Sequence, residues 1–408
     1  MNDQEHVNSM KRAKELKSKI NDYLNARDNI QTGLERIEEN SQTKSKIITT
    51  LKATDKDWSN WKWQIKNRFS NVEQLQKILN TCPQLEDIKK VERVYRWAVS
   101  PYYLSLSAVD NVNCPIRKQF IPSILELQDE LGLSDPVDEK NTSPTKAVVR
   151  RYPDRLIIKV TNQCASFCRH CQRKRTIGKQ DLHTSSGNIE KAVDYIKKNP
   201  EIRDVLITGG DALLLSDKKL DWLLTELDNI NHVEIKRIGT RVPVTLPMRI
   251  TEKLCGILGN HPPLYINTQF NHPLEVTPEA ATACNKLIQA GVVLSNQSVL
   301  LKEINDNPHI IKKLNQELLK IRVRPYYLFH AMPVKGTRHF STKLSVGLEI
   351  MEKLRGYTSG LAIPSYIVNV NGGLGKVPIQ PQYLFFNEHN EITLRTWENK
   401  LVAFIEKS

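Results

Sequence analysis

The sequence is short of several things, and each shortage narrows what the chain can be. No apolar run approaches the roughly 20 residues needed to cross a bilayer, so no membrane-spanning helix is expected. The N-terminus, Met1-Asn-Asp-Gln-Glu-His6, lacks the basic-then-apolar pattern of an export signal, and a cytoplasmic location is expected. Cysteine is sparse: seven residues, an odd number, with Cys82, Cys114, Cys255 and Cys284 scattered. That set gives no disulfide framework, and isolated thiols in a cytoplasmic protein read as small buried side chains. Acidic residues are outnumbered, 45 against 59 Lys and Arg, for a net charge of +14. Charge balance speaks to association and not to fold. A solvated basic surface accounts for it. Nucleic-acid binding is not expected, because no known module is present and the basic residues are spread along the chain.

The other three cysteines lie together. Cys164-Ala-Ser-Phe-Cys168-Arg-His-Cys171 has C-x3-C-x2-C spacing and directly follows the apolar run Leu156-Ile-Ile-Lys-Val160. Thiolates that close can face one metal centre, and three of them leave one position open. A structural zinc with His170 as fourth ligand is one reading. Zinc motifs usually pair two ligand couples far apart in sequence, and no second couple exists here. An iron–sulfur cluster on three thiolates fits better. Arg169, Arg173, Lys174 and Arg175 flank the cysteines and suit small anions.

Along the chain, Leu16, Ile20, Tyr23 and Leu24, then Ile30, Leu34 and Ile37, recur at helical spacing in a polar stretch. So narrow an apolar stripe needs a partner, either the main domain or a second subunit. Trp58, Trp61 and Trp63 read as core anchors of a small helical domain. Helices are expected near Val72–Leu79 and Val91–Ala98. A boundary is expected in Asp138-Glu-Lys-Asn-Thr-Ser-Pro144, giving an N-terminal helical domain over 1–140.

From about residue 155 apolar or β-branched runs alternate with helical patterns. The runs are Leu156–Val160, Val205–Thr208, Glu234–Gly239, Leu264–Phe270, Val292–Val299, Pro325–Phe329 and Tyr366–Val370. Repeated βα units imply a parallel sheet with helices outside it, closing wholly or partly into a barrel over 141–380. In such folds functional residues follow the strands. Cys164 follows the first run, Gly209-Gly210-Asp211 the second, and Asn371-Gly-Gly-Leu-Gly-Lys376 the last. The last is not a phosphate-binding P-loop: its spacing is wrong, and Val377 stands where a metal-binding Ser or Thr is needed. A small C-terminal cap is expected over 381–408, with Tyr383–Phe386 and Ile392–Arg395 flanking a turn at Asn387-Glu-His-Asn390.

The cysteine spacing resembles the signature of the radical S-adenosylmethionine (SAM) superfamily. The resemblance implies a 4Fe-4S cluster on Cys164, Cys168 and Cys171, with SAM on the open iron. It implies His170 against the adenine and Gly209-Gly210-Asp211 holding the methionine ammonium. Joined to Arg151-Tyr-Pro-Asp-Arg155, Leu354-Arg-Gly-Tyr-Thr-Ser-Gly360, Asn371–Lys376 and Trp58–Gln64, the signature resembles the lysine 2,3-aminomutase family over nearly the whole chain. By that resemblance the fold is α/β, a partial (β/α)6-type radical SAM barrel. Lys376 forms the Schiff base with pyridoxal 5′-phosphate (PLP), Arg151, Tyr152 and Arg155 line the PLP site, and Arg173 grips the substrate α-carboxylate. The implied reaction is a 2,3-amino shift in an amino acid held on PLP, with a flavodoxin- or ferredoxin-like electron donor.

Where lysine enzymes hold the substrate ε-ammonium between two aspartates, this chain has Met332 and Asn369. The glutamate 2,3-aminomutase subgroup shares Asn369 but has lysine at the place of Met332. Lys335 or Arg338 could supply a cation instead. Glutamate is the expected substrate. A neutral amino acid (glutamine, methionine, leucine or alanine) is the alternative, with lysine or an RNA- or protein-modifying radical SAM reaction behind it. Residues 372–408 contain no cysteine, so the structural zinc that joins subunits of lysine enzymes is not expected. A homo-oligomer with exchanged N-terminal helices is.

Overall fold

A computed structural model of the chain describes residues 3–81, 85–386 and 391–405. Nine strands form one open sheet in chain order: β1 (Val148–Val149), β2 (Arg155–Thr161), β3 (Asp204–Gly209), β4 (Ile235–Gly239), β5 (Leu264–Thr268), β6 (Val293–Leu300), β7 (Arg324–His330), β8 (Ser365–Val370) and β9 (Gly375–Pro378). Strands β2 to β8 are parallel, and the edges β1 and β9 run antiparallel to their neighbours. All seven parallel strands fall on the apolar runs of the sequence. Six helices make the crossovers, Ser186–Lys197, Asp217–Asp228, Glu252–Gly259, Pro278–Gln289, Pro308–Lys320 and Leu344–Leu354, as a partial (β/α)6-type barrel requires.

The helices dock through stripes the sequence dictates. In Asp217–Asp228, Leu220, Leu223, Leu224 and Leu227 are all buried, each contributing about 2 kcal/mol by leaving water. Ser216 caps its first turn by accepting from the Lys219 amide, a bond worth roughly 1 kcal/mol.

The helices before residue 140 pack on the barrel and share its core. One cluster contains Ile47, Phe69 and Leu75 together with Leu156, Ile207 and Ile266. Trp58 is buried, and Trp61 and Trp63 pack against the same cluster, with Arg249 4.7 Å over the Trp61 ring. Buried hydrogen bonds also cross this junction, from the Ser100 hydroxyl to the Thr245 carbonyl and from the Tyr103 hydroxyl to Glu275, both 2.6 Å. The helix expected over Val91–Ala98 ends at Val94, because Val99 instead exchanges backbone hydrogen bonds with Phe69.

Helix Asp3–Ser18 buries none of its residues. Arg12 and Lys19 near its end both pair with Glu398 of the cap. In the cap, β10 (Leu384–Phe386) and β11 (Ile392–Arg395) pair as expected, and β12 (Leu401–Phe404) adds a third strand. The expected turn Asn387–Asn390 and Cys82 lie outside the described residues. Cys114, Cys255 and Cys284 are buried free thiols. Among the described residues no helix is long and apolar enough to cross a membrane.

Candidate active site

A cavity of about 790 Å³ opens at the C-terminal ends of the parallel strands. It is lined by the three cysteines, His170, Gly209, Gly210, Asp211, Arg151, Tyr152, Arg155, Arg173, Met332, Asn369 and Lys376, but not by Lys335 or Arg338.

The cysteine loop leaves β2 and is clamped from behind by the N-terminal region. Phe167 donates its amide to the Ala98 carbonyl at 2.9 Å, and Arg169 to that of Gln119 at 2.8 Å. Arg68 donates to the Cys164 carbonyl at 2.6 Å, while its guanidinium and that of Arg96 pack on the Phe167 ring. Beneath the loop, Glu126 is fully buried between Arg169 and Lys174. Burial pushes the Glu126 carboxyl up, but the two cations outweigh it and hold it below its ordinary range. The segment can therefore be irregular yet fixed in place.

The thiols share one cavity wall but do not converge on a point. Among the described residues no three His, Cys, Asp or Glu side chains are placed to hold a single ion. A cluster that gives each thiolate its own iron needs no such convergence. Arg241 Nη1 donates to Cys168 Sγ at 2.9 Å, a bond suited to a thiolate. Three thiols with a guanidinium donor, and no fourth ligand set beside them among the described residues, fit a cluster with one open iron.

The end of β3 presses against this loop. Gly209 has φ +135°, and a Cβ there would lie 2.3 Å from the Thr161 carbonyl oxygen. A Cβ on Gly210 would lie equally close to that of Gln163. Only glycine permits this approach. Asp211 departs from the simple expectation. Both carboxylate oxygens already accept bonds from the chain, Oδ1 from the Thr240 hydroxyl at 2.5 Å and Oδ2 from the Arg241 amide at 2.7 Å. Its first structural task is to hold the β4 end. Oδ1 also accepts from the Leu213 amide at 3.2 Å, so the carboxylate is bonded within the chain at both oxygens and offers an ammonium its charge more than a vacant acceptor.

Nearby, the Ser166 hydroxyl, His170 Nδ1, Asn267 Nδ2 and the Thr268 hydroxyl are buried without a partner among the described residues. Buried polar atoms are normally satisfied. Their grouping beside the cysteines fits a polar, multi-functional ligand such as SAM. His170 Nε2 lies 3.1 Å from Gln269 Nε2, and burial pushes its imidazole well down, toward the neutral ring that packs on a base.

On the opposite wall, Lys376 is the second residue of β9. Glycines at 372, 373 and 375, all at positive φ, turn the chain back from β8. The Lys376 ammonium lies 5.0 Å from the Tyr327 ring centroid and 5.4 Å from that of Phe329. Burial pushes it down to about 8, reinforced by Arg237, Arg151 and Arg155. A lysine that is partly neutral near physiological pH is a nucleophile. Arg151 Nη1 and the Tyr152 hydroxyl are buried without partners among the described residues, and Arg155 stacks 4.0 Å over the Tyr152 ring. Such a donor set suits a phosphate, so these residues fit PLP.

Between the two walls lies Arg173. Its Nε donates to Glu139 at 2.8 Å. Met332 and Asn369 flank His330, whose Nδ1 lies 2.8 Å from the Tyr366 hydroxyl, and all three also border a second cavity of about 390 Å³. Lys335 and Arg338 are exposed and line neither cavity, so they supply no cation here.

Arg241, Arg237, Glu139 and His330 are site residues that sequence reasoning missed. Arg241 was accessible to the strand-end rule, since it lies two residues beyond β4. The others carry no motif.

Residues 158–314 match the radical SAM superfamily, and residues 351–408 match lysine-2,3-aminomutase. The chain is 53% identical to glutamate 2,3-aminomutase of Clostridioides difficile, over 98% of this chain and 95% of that protein. It is 46% identical to L-lysine 2,3-aminomutase of Fusobacterium nucleatum, over 86% of this chain and 84% of that one. The L-lysine 2,3-aminomutase of Bacillus subtilis is 41% identical over 86% of this chain and 75% of its own length.

Proposed function

The chain belongs to the lysine 2,3-aminomutase family of radical SAM enzymes, isomerases that move an amino group between adjacent carbons, and from that premise we propose that its substrate is L-glutamate. The observation that carries this reading is the charge of the cavity wall. Five arginines (Arg151, Arg155, Arg173, Arg237 and Arg241) and Lys376 line it, against Asp204 and Asp211. Asp204 is paired with Arg237 at 2.7 Å, and Asp211 is bound by the β4 end. No free carboxylate is left for a substrate ammonium, and burying one without an anion costs several kcal/mol. A dicarboxylate meets a wall of net positive charge instead, although Met332 and Asn369 bring no cation of their own to its side-chain end. The 53% identity to a glutamate enzyme supports the same assignment.

In this reading Cys164, Cys168 and Cys171 hold a 4Fe-4S cluster. His170, Gly209, Gly210 and Asp211 receive SAM. Lys376, with Arg151, Tyr152 and Arg155, holds PLP. When bound, the reduced cluster and SAM supply a deoxyadenosyl radical, and PLP supplies the electron sink for the migrating nitrogen. The chain's own residues do the rest. Arg173 orients the amino acid by its α-carboxylate, and Met332 and Asn369 meet the side-chain end. The apolar faces of Tyr327 and Phe329 keep water from the Lys376 nitrogen. The electron comes from a flavodoxin- or ferredoxin-like donor. The unburied helix Asp3–Ser18 supports packing against a second copy.

A second reading, a neutral substrate such as glutamine, is favoured by one observation: Met332 brings no cation to the side-chain end, and Lys335 and Arg338 do not replace it. Turnover of L-glutamate, L-glutamine, L-leucine, L-alanine and L-lysine by the reconstituted enzyme separates the two. Glutamate as best substrate is the expected result, glutamine as best substrate selects the second reading, and lysine as best substrate defeats both.

A further inference from the structure

The segment 131–142 crosses the rim of the cavity as a strap and touches three of its walls. At one end Leu133 exchanges backbone hydrogen bonds with the loop carrying Met332: its amide donates to the Pro333 carbonyl at 2.8 Å, and its carbonyl accepts from Lys335 at 2.9 Å. In the middle the Pro136 carbonyl accepts from the Gly372 amide at 2.8 Å, on the loop that leads to Lys376. At the other end stands Glu139, only 2% exposed. Its carboxylate takes the Arg173 Nε at 2.8 Å, with Arg175 at 3.5 Å and Lys159 at 3.6 Å. Asp135 of the same strap takes Arg175 at 2.8 Å.

The way Glu139 holds Arg173 is specific. It engages the Nε edge alone, and among the described residues no hydrogen bond uses Nη1 or Nη2. The guanidinium lines the cavity with that end free. A guanidinium offers a carboxylate two parallel donors along one edge, so fixing Nε decides which edge a ligand meets. Without the anion, Arg173 stands beside Arg151 and Arg175 with only Asp135, already paired with Arg175, to offset their repulsion.

We propose that Glu139 is a positioning residue for substrate binding: it fixes Arg173 through Nε so that the free Nη end meets the amino acid's α-carboxylate. Through the strap, the same backbone ties that carboxylate seat to the loops bearing Met332 and Lys376. The inference rests on the assignment of Arg173 made above.

The test compares Glu139→Ala, Glu139→Gln, Arg173→Ala and the Glu139→Ala/Arg173→Ala double variant in the reconstituted enzyme, with L-glutamate as probe. Equilibrium binding of L-glutamate is read by the change it causes in PLP absorbance, alongside KM, kcat and iron content. Glu139→Ala is expected to weaken binding and raise KM about tenfold or more, the scale of a lost charge-assisted bond, with iron and PLP retained. Glu139→Gln, whose amide oxygen still accepts from Nε, recovers most of the loss. The double variant binds no more weakly than Arg173→Ala, because Glu139 acts through Arg173. Unchanged binding in Glu139→Ala, or additive losses in the double variant, overturns the proposal. So does equal damage in Glu139→Gln with loss of iron or PLP. If the unaltered enzyme neither binds nor turns over L-glutamate, the substrate assignment fails, and the same series with the amino acid it does accept then tests Glu139.

Discussion

Asn369 and Lys376 are direct partners across the antiparallel pair of β8 and β9. One register pair therefore places a residue at the side-chain end of the substrate beside the lysine that carries PLP in the proposed site. The tight glycine loop between them keeps that distance fixed. In the proposed function, chemistry and specificity are thus built on one hairpin of the barrel's open edge.

That geometry makes Lys376 the first target. Burial and three neighbouring arginines push its ammonium down to about 8 from an ordinary 10.5. The neutral, nucleophilic form therefore accumulates as pH rises through about 8, well below the pH at which a free lysine gives it. Schiff-base formation between PLP and the PLP-free enzyme, followed by absorbance, should accelerate up to about pH 8 and level off above it. Lys376→Ala should show no Schiff-base band at any pH.

Met332 is where the cavity lacks a cation that a second carboxylate would use. Met332→Lys should raise kcat/KM for L-glutamate about tenfold, roughly 1.4 kcal/mol of added transition-state binding. The same change should weaken turnover of L-glutamine or L-leucine, since it places an ammonium against an uncharged group. A steady-state comparison of the three substrates checks both directions.

Glu126 anchors the cysteine loop through Arg169 and Lys174, and all three side chains are buried. Its removal leaves two uncompensated cations, so Glu126→Gln should cost about 3–5 kcal/mol of stability at neutral pH by urea unfolding. The pH dependence follows from the depressed carboxyl. Its stabilisation is fully present above the unfolded-state value of about 4.5 and is lost as pH falls through the lower folded-state value. The unaltered protein should therefore lose stability below about pH 4.5 more steeply than Glu126→Gln.

Much of this was legible in the sequence, for physical reasons that differ by element. Most of the parallel strands alternate buried with half-buried or exposed residues, and their apolar and β-branched residues stand out as runs between the helical patterns. The cysteine, Gly-Gly-Asp and glycine-lysine loops follow those runs, where barrel sites are built. The edges were not legible: β1 has two residues, and β9 is Gly-Lys-Val-Pro, with no pattern of its own. The ion pairs were least accessible. Glu139 and Arg173 are 34 residues apart and Arg241 lies 73 beyond Cys168, so only the fold brings each to its partner. The polar stretch near residue 140, where a boundary is expected, is a strap across the site, and the helices before it share the barrel's core.

The central claim is an intramolecular 2,3-amino shift on glutamate, and isotope tracing tests it most directly. The anaerobically reconstituted enzyme, given SAM, PLP, a reductant and L-glutamate labelled with nitrogen-15 and with carbon-13 at the β-carbon, can be followed by NMR. The account predicts 3-aminoglutarate in which the labelled nitrogen is bonded to the labelled carbon, with no exchange into added unlabelled ammonia. Label that stays on the α-carbon, or exchanges into the ammonia pool, would contradict it.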